Sequence, residues 1–316
     1  PLRLKIAQHF AASGVAALVY DSPGTGMSAG NALVQTLADR VMEAMDALDY
    51  LSKMPGIRSP SVGLFGGSEG ANVALLAAAG EPRCAFVIAV SSALGVSVLD
   101  VLKYSAEKKG LQQDLTPEEI TQAATFKEVA FVLLSGVALA EWPLIETRVK
   151  RWNDNTWHTL ISIAKQRMGE LTREEKQEWL DSFRNVIDHF RNERWFVVVD
   201  PGNAVQRMAA LDADSFFALL ESGRFTQDWN KSLCGASGIQ CPLLAIWGQE
   251  DSFLPPQQSA LRLGKELTDA NHPDFAIKMF PQATHFLTVP GSAAEFVPGY
   301  LDTMTEWLGR HFDLKK

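Results

Sequence analysis

GLFGGSEGANVALL, residues 63–76, sets Ser68 between Gly66 and Gly70, each two positions away. An apolar run rich in β-formers, VGLFG (62–66), precedes the serine, and EGANVALLAAAG (69–80), with helical apolar spacing, follows it. Alone, G-x-S-x-G is a weak pattern, because a serine at the start of a helix also serves as an N-cap. Between a buried strand and a helix it becomes a sharp, strained turn that presents a nucleophile. The flanking glycines keep side chains from colliding in that turn. The hydroxyl then emerges at the C-terminal edge of a sheet, and the Glu69 N–H is placed to stabilise an oxyanion.

Outward from this point, VAALVY (15–20) and AFVIAVS (85–91) read as further strands buried on both faces. LRLKIAQHFAAS, TLADRVMEAMDALDYLSKM and the stretch after Ser68 read as helices between them. That alternation predicts a parallel sheet with right-handed crossovers. From about Gly95 to Gly238 the pattern changes to helices with almost no strands. Thr116-Pro117-Glu118-Glu119 and Thr172-Arg173-Glu174-Glu175 are helix starts of the capping-box type, and residues 203–220 predict a third helix. Trp142, Trp152, Trp157, Trp179, Trp195 and Trp229 all fall in this segment. Strand–helix alternation resumes with PLLAIWG (242–248), QQSALRLGKEL and FAIKMF (275–280), and a last helix is predicted over 294–312. The expected organisation is an α/β core over 1–94 and 239–316, interrupted by a helical insertion at 95–238. Because the insertion joins two strands at their C-terminal edge, it is expected to cap the site, with at least one tryptophan facing an apolar pocket.

The 316 residues are 47% hydrophobic and 21% charged, an ordinary globular composition with ample material for a core. A formal charge of -8 argues against nucleic acid and against an anionic membrane surface as partners. The longest apolar stretch, residues 129–140, is too short to span a membrane and predicts a buried helix. Cys84, Cys234 and Cys241 show no metal-ligand spacing, and an odd count fits a reducing compartment, cytoplasmic for instance, although a Cys234–Cys241 loop is conceivable.

A serine hydroxyl needs a base. Of the six histidines, His9, His189 and His311 sit in predicted helices among polar neighbours, His158 lies in the insertion, and His272 lies in the turn Asn271-His272-Pro273. His285, in MFPQATHFL after the last strand, lies in a loop at the same sheet edge as Ser68. An acid should orient it, and AIWGQEDSFLP places Glu250 and Asp251 just after the preceding strand. Asp251, which follows the turn Gly248-Gln249-Glu250, is preferred, with Glu250 the alternative. The order Ser68, Asp251, His285 suits a triad on this architecture.

These residues carry a resemblance to the α/β-hydrolase superfamily, and within it to bacterial cap-bearing esterases related to the prolyl oligopeptidase and dienelactone hydrolase branches. The matching stretches are YDSPGTGMS (20–28), GLFGGSEGANVALLAA, AFVIAVSS, LLAIWGQEDSFLP, FAIKMFPQATHFL and PGYLDTMTEWL. The resemblance implies the same Ser-Asp-His triad, and for the loop 21–28 either a structural turn or a substrate contact. It also implies strands before the first helix, one of them between the strands at 15–20 and 62–66, with a loop that supplies a second oxyanion donor. The sequence shows no such strand, so upstream residues are expected to be missing; a real absence would imply a weak or inactive protein. The expected function is hydrolysis of a small carboxylic ester through an acyl-enzyme, with no metal or organic cofactor. A peptidase, amidase or thioesterase with the same triad is the alternative, and a binding protein on a decayed hydrolase fold is the alternative from another class.

Overall fold

The computed structural model describes residues 2–93, 95–200, 203–222 and 238–314. Its elements run α1 (Leu2–Ala12), α2 (Leu37–Ser52), β1 (Leu64–Gly67), α3 (Glu69–Gly80), β2 (Val87–Val90), α4 (Val98–Gln112), α5 (Pro117–Ser135), α6 (Trp142–Val149), α7 (Asn155–Arg167), α8 (Arg173–Phe190), α9 (Phe196–Val199), α10 (Ala204–Ala209), α11 (Ala213–Glu221), β3 (Leu243–Gly248), α12 (Pro256–Asp269), β4 (Phe275–Phe280) and α13 (Tyr300–His311). The chain forms two compact units. One comprises the described residues of Pro1–Ala32, Leu37–Val101 and Asp228–Lys316, the other those of Leu33–Thr36 and Leu102–Gln227.

The first unit holds a parallel sheet in the order β1-β2-β3-β4. Leu64 lies opposite Val87, Val87 opposite Leu243, and Leu243 opposite Phe275. Side chains alternate between the faces, and each face is covered by helices. Val87, Ala89, Leu243, Ala245 and Trp247 point to one face, with Leu75 and Ala78 of α3 and Leu263 and Leu267 of α12. Ile88, Val90, Leu244 and Ile246 point to the other, with Ile6 and Phe10 of α1 and Met304, Trp307 and Leu308 of α13. Burial on both sides is why β2 and β3 are apolar at every position, since burying each large side chain contributes roughly 1.5–3 kcal/mol.

Three sequence expectations change here. Residues 15–20 form no strand and belong to no ladder, and Leu18, Val19 and Tyr20 are exposed. A strand needs a hydrogen-bonded neighbour. Among the described residues none lies beside this segment, and a cavity of about 290 Å³ is lined both by it and by β1, the edge strand. The last helix starts at Tyr300 rather than at 294, because Gly299, at φ 78°, takes the left-handed conformation at its N-cap. The helix expected over 203–220 is two helices, parted where the Asp212 side chain accepts the Ser215 N–H and caps α11.

The second unit is helical. Thr116 and Thr172 cap α5 and α8, each accepting from a backbone N–H three residues on while that glutamate reaches back. Gly136, at φ 68°, ends α5, so the apolar stretch 129–140 is helical only as far as Ser135. Trp142, Trp157, Trp179 and Trp195 are buried in the core of this unit, with Phe126, Phe183, Phe190 and Phe216. Trp152 is half-buried against Trp157, with ring centroids 4.5 Å apart. These five therefore fill or flank the unit's own core; Trp229 lies outside the described residues. Cys84 and Cys241 are free thiols, and Cys234 also lies outside the described residues.

Candidate active site

Ser68 is the residue between β1 and α3, with φ 56° and ψ -122°. A non-glycine residue held there stores on the order of 1–3 kcal/mol of strain. The turn is tight because a Cβ on Gly66 would overlap the carbonyl of Gly70. The two flanking glycines are not equivalent: a Cβ on Gly70 meets nothing within 4 Å. Gly66 is required for its missing side chain, whereas Gly70 is the backbone that Gly66 makes room for. As the first residue of α3, Glu69 has an N–H with no intrahelical acceptor, in the position expected of an oxyanion donor. Its carboxylate lies 3.3 Å from Arg40.

His285 and Asp251 are both buried, at 5% and 0% exposure, and His285 Nδ1 lies 2.7 Å from Asp251 Oδ2. The second carboxylate oxygen, Oδ1, accepts the N–H groups of Phe253 at 2.7 Å and Leu254 at 3.0 Å. Asp251 follows the last residue of β3 by a short turn, and His285 follows β4. The two loops touch closely: a Cβ on Gly248 would overlap the carbonyls of Ala283 and Thr284. Glu250, the alternative acid, is exposed, and its N–H donates to the Ala283 carbonyl. The structure thus brings Asp251, not Glu250, to the histidine.

Ser68 joins this pair through the end of β2. The Ser68 N–H donates to the Val90 carbonyl at 2.8 Å, and the next residue, Ser91, donates from Oγ to the His285 carbonyl at 2.8 Å. Ser68 Oγ and His285 share no direct hydrogen bond here; catalytic contacts of this kind are often long without substrate and tighten when it binds. The ring of His285 is flanked by Phe253 and Phe286, with centroids 5.0 and 4.9 Å away, and both phenylalanines are exposed. Sequence reading missed Ser91, Phe253 and Phe286. The two phenylalanines adjoin the candidate acid and base in sequence, a signal that was available, whereas Ser91 acts across the sheet.

Of the remaining five histidines, His9 Nε2 lies 3.3 Å from Thr305, His189 bonds Asp154, His311 bonds Asp274, His272 Nδ1 accepts the Asp274 N–H at 3.2 Å, and His158 is exposed on α7. The loop 21–28 closes largely on itself, through Ser28 Oγ to the Asp21 carbonyl and Thr25 Oγ1 to the Ser22 carbonyl, with Asp21 also paired to Arg3 at 2.9 Å. Among the described residues no group of three or more His, Cys, Asp or Glu side chains is arranged to hold a metal, and no helix is long and apolar enough to cross a membrane.

With this geometry in hand, the chain can be set beside known proteins. The sequence profile of the X-Pro dipeptidyl-peptidase (S15 family) matches residues 3–285. A polyketide transferase of Penicillium crustosum, claH, is 37% identical over 86 residues, 27% of this chain and 28% of that protein. The α/β hydrolase GrgF from Penicillium sp. sh18 superposes with a TM-score of 0.50 at 16% identity, over 98% of this chain and 84% of that one. A monoacylglycerol lipase of Paleococcus ferrophilus gives 0.46 at 19% identity, over 98% and 88%. At 16% identity the likeness to GrgF carries the fold alone, that of the α/β hydrolases.

Proposed function

The chain belongs to the X-Pro dipeptidyl-peptidase (S15) family of α/β hydrolases, and from that premise we propose that it is a serine hydrolase that cleaves carboxylic esters through Ser68, His285 and Asp251. The observation that carries the reading is the buried His285–Asp251 hydrogen bond, set at the same sheet edge as a serine held in a strained strand-to-helix turn. In the proposed reaction Ser68 Oγ attacks the substrate carbonyl while its proton passes to His285 Nε2. Asp251 keeps the proton on Nδ1, which leaves Nε2 free to accept, and stabilises the imidazolium that forms. The Glu69 N–H takes the developing oxyanion. His285 then protonates the leaving alcohol, and a water, deprotonated by the same imidazole, releases the acyl group from Ser68. None of these steps requires a cofactor.

Phe253 and Phe286 give the imidazole an apolar rim, which suits an apolar or aromatic substrate group and supports an ester over a charged peptide. Peptide hydrolysis is the second reading, favoured by the family itself. One panel separates them: p-nitrophenyl esters of short acids against X-Pro p-nitroanilides, with a fluorophosphonate probe to count active serines. The expected result is probe labelling that Ser68→Ala abolishes, and faster turnover of the esters. Labelling that survives Ser68→Ala would remove the serine from its role, and a preference for the X-Pro anilide would move the substrate to peptides.

A further inference from the structure

We infer that Ser91 is a positioning residue for His285, an inference that rests on the triad proposed above. Ser91 follows β2 directly and is fully buried. Its N–H donates to the Ile246 carbonyl of β3 at 2.8 Å, so its main chain is locked to the sheet. Its Oγ donates to the His285 carbonyl, also at 2.8 Å, across 194 residues of sequence. Among the described residues this is the one hydrogen bond to the main chain of His285. The other bonds of that loop hold its neighbours: Leu287 N–H to the Thr284 carbonyl, Thr284 N–H to the Thr288 carbonyl and Glu250 N–H to the Ala283 carbonyl. Asp251 anchors the ring at Nδ1 and the turn brackets the residue, so what Ser91 adds is a fixed His285 carbonyl, and with it the angle at which Nε2 is aimed.

Two further features mark the position. Ser91 sits at φ 52°, in the left-handed region, where glycine is free of the Cβ penalty and serine is not. A side chain is thus kept where its absence would ease the backbone. The preceding carbonyl, that of Val90, accepts the Ser68 N–H. The end of β2 therefore registers the nucleophile's main chain through the Val90 carbonyl and the base's main chain through the Ser91 side chain. Ser92 steadies this strand end, since its Oγ donates to Asn72 Oδ1 at 2.7 Å and its carbonyl accepts the Trp247 Nε1–H at 2.9 Å. The hydroxyl of Ser91 makes no bond in the chemistry; it sets the distance over which the proton moves.

Conformation at this residue makes the test sharp. Ser91→Gly removes the hydroxyl and orphans the His285 carbonyl, but it also relieves the backbone, so the two effects offset in part and the melting temperature is expected to fall only modestly. Its kcat on a p-nitrophenyl ester is nevertheless expected to fall on the order of 10- to 100-fold, the scale of a misplacement of about 1 Å, with KM changed less than about twofold. The second-order rate of fluorophosphonate labelling should fall in step, because it depends on the same base. Ser91→Thr keeps the hydroxyl but is β-branched at positive φ, so it should lose melting temperature and retain most of kcat. A Ser91→Gly protein with unaltered kcat and labelling rate would overturn the positioning role, as would a kcat that followed melting temperature through both variants. Hydrolysis that survives Ser68→Ala would instead overturn the triad, and this inference with it.

Discussion

Replacing Asp251 by Asn tests the acid at the level of single protons. The two carboxylate oxygens have different duties: Oδ1 accepts two backbone N–H groups, and Oδ2 faces His285 Nδ1. In the amide, one of these sites must become an NH₂. If the oxygen stays with the backbone donors, the NH₂ faces Nδ1 and forces it to accept. The imidazole proton then sits on Nε2, and the ring cannot take a proton from Ser68. If the amide flips to restore the productive tautomer, the NH₂ confronts the N–H groups of Phe253 and Leu254 in a fully buried site. Two orphaned donors cost roughly 2–6 kcal/mol. At about 1.4 kcal/mol per factor of ten, the productive tautomer becomes rarer by a factor on the order of 30 to 10⁴, and kcat should fall accordingly. The fold should survive, because the amide matches the carboxylate in shape and keeps both backbone bonds. Initial rates on a p-nitrophenyl ester, normalised to folded protein by circular dichroism, measure the effect. Glu250→Gln, at an exposed position, should stay within about twofold, as surface changes usually do. An Asp251→Asn protein with a third or more of the original kcat would refute the reasoning, and a larger loss from Glu250→Gln would move the acid to Glu250.

Two other expectations follow from the geometry. Gly66→Ala should abolish fluorophosphonate labelling and lower the melting temperature, because the new methyl meets the Gly70 carbonyl, whereas Gly70→Ala should be tolerated; equal effects would mean that the turn is not closed in this way. In the helical unit, Lys127 Nζ lies 3.1 Å from Ser105 Oγ, and burial, with repulsion from Lys109, pushes its ammonium down to about 7. The unfolded chain keeps that proton up to about 10.4, so between these values the unfolded state binds more protons and stability should rise with pH. Below about pH 7 the penalty is fully present, with an upper bound of about 5 kcal/mol. Lys127→Met should raise the melting temperature most at pH 6 and flatten its rise toward pH 10; a variant with an unchanged slope would show that the amine is charged at no cost.

Local chemistry wrote much of this protein plainly into its sequence. β4 spans the run FAIKMF, β3 lies within PLLAIWG, and the capping threonines of α5 and α8 stand where their patterns predict, since strand alternation and helix capping depend on residues a few positions apart. Ser68 was legible for the same reason: the glycine that the turn needs, the strand before it and the helix after it are contiguous. The separate duties of Gly66 and Gly70 were not legible, because they depend on which atoms approach which. Asp251 and Glu250 are adjacent in the chain, and only the fold sends one carboxylate into the interior to His285 while leaving the other exposed. The run 15–20 has the composition of a buried strand, yet composition records only a residue's willingness to pair; without a neighbour its backbone stays outside the sheet. Ser91 carries no local signal at all. Its role exists only because the parallel sheet brings residue 91 against residue 285, and a hydrogen bond across 194 positions belongs to the tertiary structure alone.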